Sequence, residues 1–153
     1  YINNEDIILL IVGKPARDYN MQKVKDAIRN DSRIILREHF IADEDIQFYY
    51  KASDIVCLPY QKIYNSAVLK HSFSFGSVCV LSDLEEFSSF AKDMVNCSIF
   101  DRNSPKDLAE KIKKVIKDKQ LYKRLSQNSK EYSNKHWDWH NCAIKTKKVY
   151  DLF

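Results

Sequence analysis

Short apolar or β-branched runs alternate with longer amphipathic stretches from Ile7 to Phe100, and this alternation limits the chain to few architectures. It is the signature of an α/β protein, in which buried strands are separated by helices. Connections that each contain a helix predict parallel strands, because the crossover returns the chain to the edge from which it left. With 153 residues, 44% of them hydrophobic, the chain is long enough to bury one core, and a single domain over 1–153 is expected. Only two Gly and three Pro are present, which excludes collagen-like and linker-like chains.

Ile7 to Val12 (IILLIV) reads as a buried strand stopped by Gly13, Lys14 and Pro15. A helix follows over Tyr19 to Arg29, with Met21, Val24, Ala27 and Ile28 on one face. Arg33 to Leu36 is a second strand, and Asp43 is placed to cap a helix over Glu44 to Lys51 that Ile46, Phe48, Tyr49 and Tyr50 pack down. Asp54 to Leu58 is a third strand, ended by Pro59. Ile63 to Phe75 fits a loop entering a helix, with Ser66 as N-cap and Gly76 as terminator. Val78 to Leu81 and Cys97 to Phe100 complete the strands. The remainder is helical: Ser104 caps and Pro105 opens a helix carrying Leu108, Ile112, Val115 and Ile116. Leu121, Leu125 and Tyr132 line a second helix, and Trp139, Ala143, Ile144, Val149 and Tyr150 a third.

Charge and cysteine content narrow the function. The formal charge is +4, and its excess lies on helical periods in the last third, from Lys106 to Lys148, as expected of solvated helix faces. An anionic membrane surface is the alternative partner for that charge. Nucleic acid is not expected, because no recognition motif accompanies it. The longest apolar run, Ile7 to Val12, is far short of the roughly 20 residues of a membrane span. Cys57 and Cys79 sit inside apolar runs and no CxxC pair occurs, so reduced, structural cysteines and a cytoplasmic setting are expected, with no metal site.

In an open parallel sheet, ligands bind at the carboxyl ends of the strands. Two such ends stand out. Gly13 permits close backbone approach and Lys14 offers a point charge for phosphate, although a turn glycine beside a solvated lysine looks the same. The stretch Pro59 to Gly76 says more. The free amides of Ala67 and Val68, the Ser66 hydroxyl and the helix dipole suit a diphosphate, and the small side chain of Ala67 leaves it room. Lys70 and His71 follow one turn later, His71 within reach of a ribose or phosphate oxygen. A capped core helix without a ligand would carry the same residues. A phospho-acceptor receiver domain shares the alternation but needs an acidic cluster where this chain has Gly13-Lys14-Pro15.

Phe40 to Asp83 resembles the central segment of the C-terminal, donor-binding domain of group 1 glycosyltransferases with the GT-B fold. The matching positions, in order and spacing, are Ala52-Ser53-Asp54, Pro59-Tyr60, Ser66-Ala67-Val68-Leu69, Gly76 and Ser82-Asp83. Ile99 to Ile116 resembles the family's following helix, and Trp139 to Tyr150 its closing helix. The resemblance implies a Rossmann-like parallel sheet flanked by helices, with a helical C-terminal tail. It also implies metal-independent transfer from a nucleotide-sugar, with retention at the anomeric carbon and no cofactor, to a saccharide or lipid-linked acceptor, as in bacterial surface polysaccharide synthesis.

Ser66, Ala67 and Val68 fall on the family's diphosphate contacts. The glutamate that usually holds the ribose falls on His71, and an earlier glutamate on Ile63. The usual Gly after the serine is Ala67, and the usual Pro before the next strand is Val78. Tyr60, Ile63 and Ser66 match a subgroup that also lacks the first glutamate. Glu85 or Glu86 lies where an acidic residue often follows the next strand. No catalytic base is assigned; His39, His136 and His140 are expected to be structural or surface residues. The family's domain normally begins with a further strand and helix bearing an Arg/Lys pair, preceded by an acceptor-binding domain. The chain is therefore expected to be a fragment, inactive alone, of an enzyme at the cytoplasmic side, with peripheral contact to the membrane inner face a further expectation. The departures at Ile63, Ala67 and His71 also fit a degenerate module kept for protein association.

Overall fold

The computed structural model describes residues 1–2, 7–17, 19–29, 31–64 and 66–152. Two compact units are formed, one of Ile2–Gln47 and one of Phe48–Phe153 together with Tyr1.

In the N-terminal unit, β1 (Leu9–Val12) pairs in parallel with β2 (Ile34–Arg37), Leu9 opposite Ile34 and Val12 opposite Arg37. Between them in sequence runs α1 (Met21–Ile28), capped by Asn20, whose side chain accepts from the Gln22 amide at 3.0 Å. Met21, Val24 and Ile28 are half-buried as the helical period requires, but Ala27 is exposed. The strand begins at Leu9 rather than Ile7, and Ile8 is 66% exposed, so the apolar run is only partly covered. Ahead of β2, Asp31 accepts hydrogen bonds from the amide, Nε and Nη2 of Arg33 at 3.0, 2.9 and 2.6 Å. The next helix, α2 (Asp43–Ala52), starts on Asp43 itself, so this residue is the first of the helix and not its cap. Asp43, Glu44 and Asp45 place negative charge in the first turn, where the helix dipole favours it.

In the C-terminal unit, β3 (Ile55–Leu58), β4 (Val78–Ser82) and β5 (Ser98–Phe100) form a parallel sheet with β4 in the centre. All five residues of β4 are buried, as an apolar strand covered on both faces must be. Side chains alternate across the sheet. Cys79 and Leu81 join a core with Leu58, Leu69, Phe73, Leu84, Phe87, Ala91 and Cys97, while Val78 meets Val115, Leu121 and Leu125.

The helices that cover the sheet are α3 (Ala67–Phe75), α4 (Pro105–Lys117) and α5 (Lys119–His136). Phe73 is fully buried and stabilises the fold by roughly 2 kcal/mol through desolvation. Ser104 caps α4 by accepting from the Asp107 amide at 3.1 Å, with Pro105 at the first helical position. Asp118 ends α4 and caps α5, accepting from the amides of Gln120 and Leu121. A last helix, α6 (Trp139–Tyr150), is capped by Asp138.

The apolar residues of α6 were expected to pack, and they do not: Trp139 is 86% and Tyr150 76% exposed, and no residue of the helix is buried. Its amphipathic period is enough to shape a helix, but no described residue covers its apolar stripe. Phe48 on α2 is likewise 60% exposed rather than packed down. All four cysteines are free thiols; Cys79 and Cys97 are buried, Cys57 half-buried and Cys142 exposed. No described helix is long and apolar enough to cross a membrane.

Candidate functional site

Pro59 ends β3 because it has no N–H to continue the ladder. The chain then runs over the carboxyl end of the sheet and enters α3 at Ser66; Asn65, inside this stretch, lies outside the described residues. Ser66 is 6% exposed, has extended backbone, and its Oγ accepts from the Leu69 amide at 3.0 Å. Its carbonyl accepts from Lys70 N at 3.3 Å. The amides of Ala67 and Val68 have no acceptor among the described residues, as the first turn of a helix requires. Both side chains are exposed, and the first turn carries no acidic residue to offset the positive end of the helix dipole.

The turn is anchored from behind. The Tyr50 hydroxyl donates to the Val68 carbonyl at 3.2 Å, and Ser72 Oγ donates to the same oxygen at 2.7 Å. At the far end Gly76 takes the left-handed conformation, φ 71°, with its amide donating to the Phe73 carbonyl. Ser126 Oγ and Lys130 Nζ of α5 donate to the carbonyls of Gly76 and Ser74.

The other candidates divide by environment. His71 is exposed and meets the Tyr50 ring edge-on at 6.3 Å, while Tyr50 stacks on Phe75 at 5.2 Å. Lys70 is half-buried beside it. Tyr60 and Ile63 pack against the core of the C-terminal unit, so Ile63 performs a packing role. Burial pushes the Tyr60 phenol above its ordinary value, with the adjacent Ser66 hydroxyl acting in the opposite sense. Gly13 and Lys14 belong to the N-terminal unit. There Gly13 adopts φ 145°, donates its amide to the Arg37 carbonyl at 3.1 Å, and has no described residue within 4 Å of where a Cβ would sit; Lys14 is exposed.

One group of polar contacts at the sheet end was not anticipated from sequence. Ser82, fully buried at the end of β4, donates its hydroxyl toward the Tyr60 carbonyl at 2.7 Å and lies 3.4 Å from that of Leu58. Gln61 donates to the Arg102 carbonyl at 3.0 Å. Arg102 in turn donates through its amide and Nε to Asp83 Oδ1, both at 3.0 Å, and through Nη2 to the Asp83 carbonyl at 2.8 Å. These bonds hold the Asp83 carboxyl below the usual carboxylate range, the Arg102 amide contributing most. The adjacency of Ser82 and Asp83 at a strand end was the available signal; their partners come from distant segments.

Glu85 and Glu86 are exposed on a single 3-10 turn after β4. His39 and His140 are exposed, and His136 lies against the Tyr132 ring at 4.3 Å. Among the described residues no group of three His, Cys, Asp or Glu could hold a metal ion.

Parallel strands flanked by helices, followed by a C-terminal helix, match the C-terminal domain of the GT-B fold. Residues 2–132 match the model of glycosyl transferases group 1, and the chain belongs to that family. It is 39% identical over 59 residues to an uncharacterized glycosyltransferase of Methanocaldococcus jannaschii, a stretch that covers 39% of this chain and 16% of that protein. Its fold is similar to that of Anabaena HepE solved in complex with UDP, with a TM-score of 0.87 and 16% identity over 98% of this chain and 42% of the other. Sucrose-phosphate synthase from Thermosynechococcus elongatus gives 0.83 and 16%, over 94% and 38%. A glycosyltransferase from Rickettsia africae gives 0.82 and 18%, over 96% and 40%. The chain thus spans about two fifths of these solved structures.

Proposed function

We propose that the C-terminal unit binds the diphosphate of a nucleotide-sugar on the first turn of α3, and that the parent enzyme transfers the sugar to a saccharide or lipid-linked acceptor. The observation that carries this reading is the pair of unpartnered amides at Ala67 and Val68, presented by a cap whose own hydroxyl is engaged with Leu69. A diphosphate there would accept both N–H groups, and its charge would be favoured by the helix dipole. During transfer, negative charge grows on the leaving diphosphate, and fixed donors aimed at it lower the barrier without a covalent step on this unit. HepE, solved with UDP and with UDP-glucose, supports a nucleotide-sugar as the ligand class. On this reading neither metal nor cofactor is required, Lys70 and His71 lie on the ribose or sugar side, and the acceptor is held by a separate domain.

A second reading, a module kept for protein association, takes its support from Ile63, which packs into the core, and from His71, which rests on Tyr50. Calorimetric titration with millimolar UDP, GDP and ADP separates the two. Saturable binding of one nucleotide is expected, and its loss in the double variant Ser66→Ala with Ala67→Phe, with folding retained. Unchanged affinity in that variant refutes the assigned site, and failure of all three nucleotides favours the association module.

A further inference from the structure

Pro59 has no N–H to continue the ladder of β3, which ends at Leu58. The hold on the chain beyond it comes instead from the ends of the two other strands. The buried Ser82 hydroxyl has one proton to donate, and the 2.7 Å contact assigns it to the Tyr60 carbonyl. The next residue, Gln61, is tied to the Arg102 carbonyl beyond β5, and Arg102 is fixed by three hydrogen bonds to Asp83. The loop beyond β5 is itself stiffened, with the Asp101 amide donating to Asp107 and the Asn103 amide to Asp101, each at 2.8 Å. Residues 59–61 are therefore braced from two sides just before the chain turns toward Ser66, and Ile63, on the way to it, packs against the core of the C-terminal unit.

We propose that Ser82, Gln61 and Arg102 are positioning residues of the diphosphate site. They fix the path of residues 59–64, and through it the placement of the Ala67 and Val68 amides, without touching the ligand. This inference rests on the nucleotide-sugar reading above. If these bonds only held the sheet together, their loss would lower global stability and leave the loop as ordered as before.

The test uses the full chain and two readouts. Gln61→Met removes one tether at an exposed position, where the fold is not at risk; Ser82→Ala removes the other, and Ser82→Thr keeps its hydroxyl. Amide hydrogen exchange at Leu69 and Lys70, whose N–H groups are held by Ser66, is expected to accelerate about fivefold in the first two variants, the factor that one typical net hydrogen bond carries. Exchange in α3 beyond Lys70 should be unchanged, the affinity for whichever of UDP, GDP and ADP binds should fall by a similar factor, and Ser82→Thr should restore both. Unchanged exchange at Leu69 and Lys70 in both Gln61→Met and Ser82→Ala overturns the brace. Faster exchange with unaltered nucleotide affinity overturns its role in the site. Faster exchange in a chain that binds none of the three nucleotides upholds the brace and overturns the nucleotide reading on which its function rests.

Discussion

The two helix ends in the left-handed conformation form a matched pair on which the backbone reasoning can be tested. Gly76 closes α3 at φ 71°, ψ 22°, and Arg29 closes α1 at φ 45°, ψ 45°. A Cβ at position 76 would meet Lys130 Cβ and the Ser126 carbonyl at 3.5 Å and Ser126 Oγ at 3.6 Å, all ordinary contacts. The cost of Gly76→Ala is therefore conformational: about 1–2 kcal/mol for an L-residue in this region. A less flexible unfolded chain returns about 0.4–1 kcal/mol. The net loss is roughly 1 kcal/mol, or about 2–4 °C in Tm for a chain of this size. At position 29 the same arithmetic runs in reverse, and Arg29→Gly should be more stable than Arg29→Ala by roughly 1 kcal/mol, the lost charge being common to both variants. Urea unfolding followed by far-UV circular dichroism measures all four. A Gly76→Ala chain as stable as the parent, or an alanine at 29 that outperforms glycine, would refute the reasoning.

Three shorter expectations follow from buried or paired groups. The Ser98 hydroxyl is buried with no hydrogen-bond partner among the described residues, so Ser98→Ala should hold or raise stability by about 1 kcal/mol, and a clear loss in urea unfolding would count against an unsatisfied hydroxyl. Asp31 is held at about 2, against an ordinary 3.8, first by the side-chain hydrogen bond from Arg33 and then by its amide. Its pairing therefore contributes in full above 3.8 and is lost as the pH falls through about 2. A carboxyl NMR titration should show that low midpoint and its return toward the ordinary value in Arg33→Gln. Burial pushes the thiols of Cys57 and Cys97 up to about 11 and about 12, and that of Cys79 higher still, whereas Cys142 is exposed. A thiol reagent at pH 8 should titrate one group rapidly, lose that phase in Cys142→Ser, and reach the other three only in denaturant.

Features with a local cause were legible in the sequence. Ser66, Gly76, Ser104 and Pro105 act through their own backbone geometry, and each stands where its residue type required. The buried run of β4 and the parallel pairing follow from hydrophobicity and connection length. Asp43 shows the limit of local reading, because an acidic residue suits the first turn of a helix as well as its cap. Ile63 is half-buried and packs against the core, a contact made by tertiary packing that its place in the sequence does not announce. The partners of Ser82, Gln61 and Arg102 were invisible for the same reason: they are set by which strand ends lie side by side. The α6 period announced an amphipathic helix correctly but carried no information on what covers it.

The two tryptophans, two positions apart, end in opposite surroundings. Trp137 lies 5.7, 5.6 and 5.2 Å from the rings of Phe73, Phe90 and Tyr132, while Trp139 stands in solvent at the start of α6. Intrinsic fluorescence of the folded chain should accordingly contain a blue component that acrylamide reaches poorly and a red one that it quenches freely. Only the blue component should move when the aromatic cluster beneath α3 loosens. The protein thus carries its own optical gauge of the helix that presents Ser66, with an internal reference two residues away.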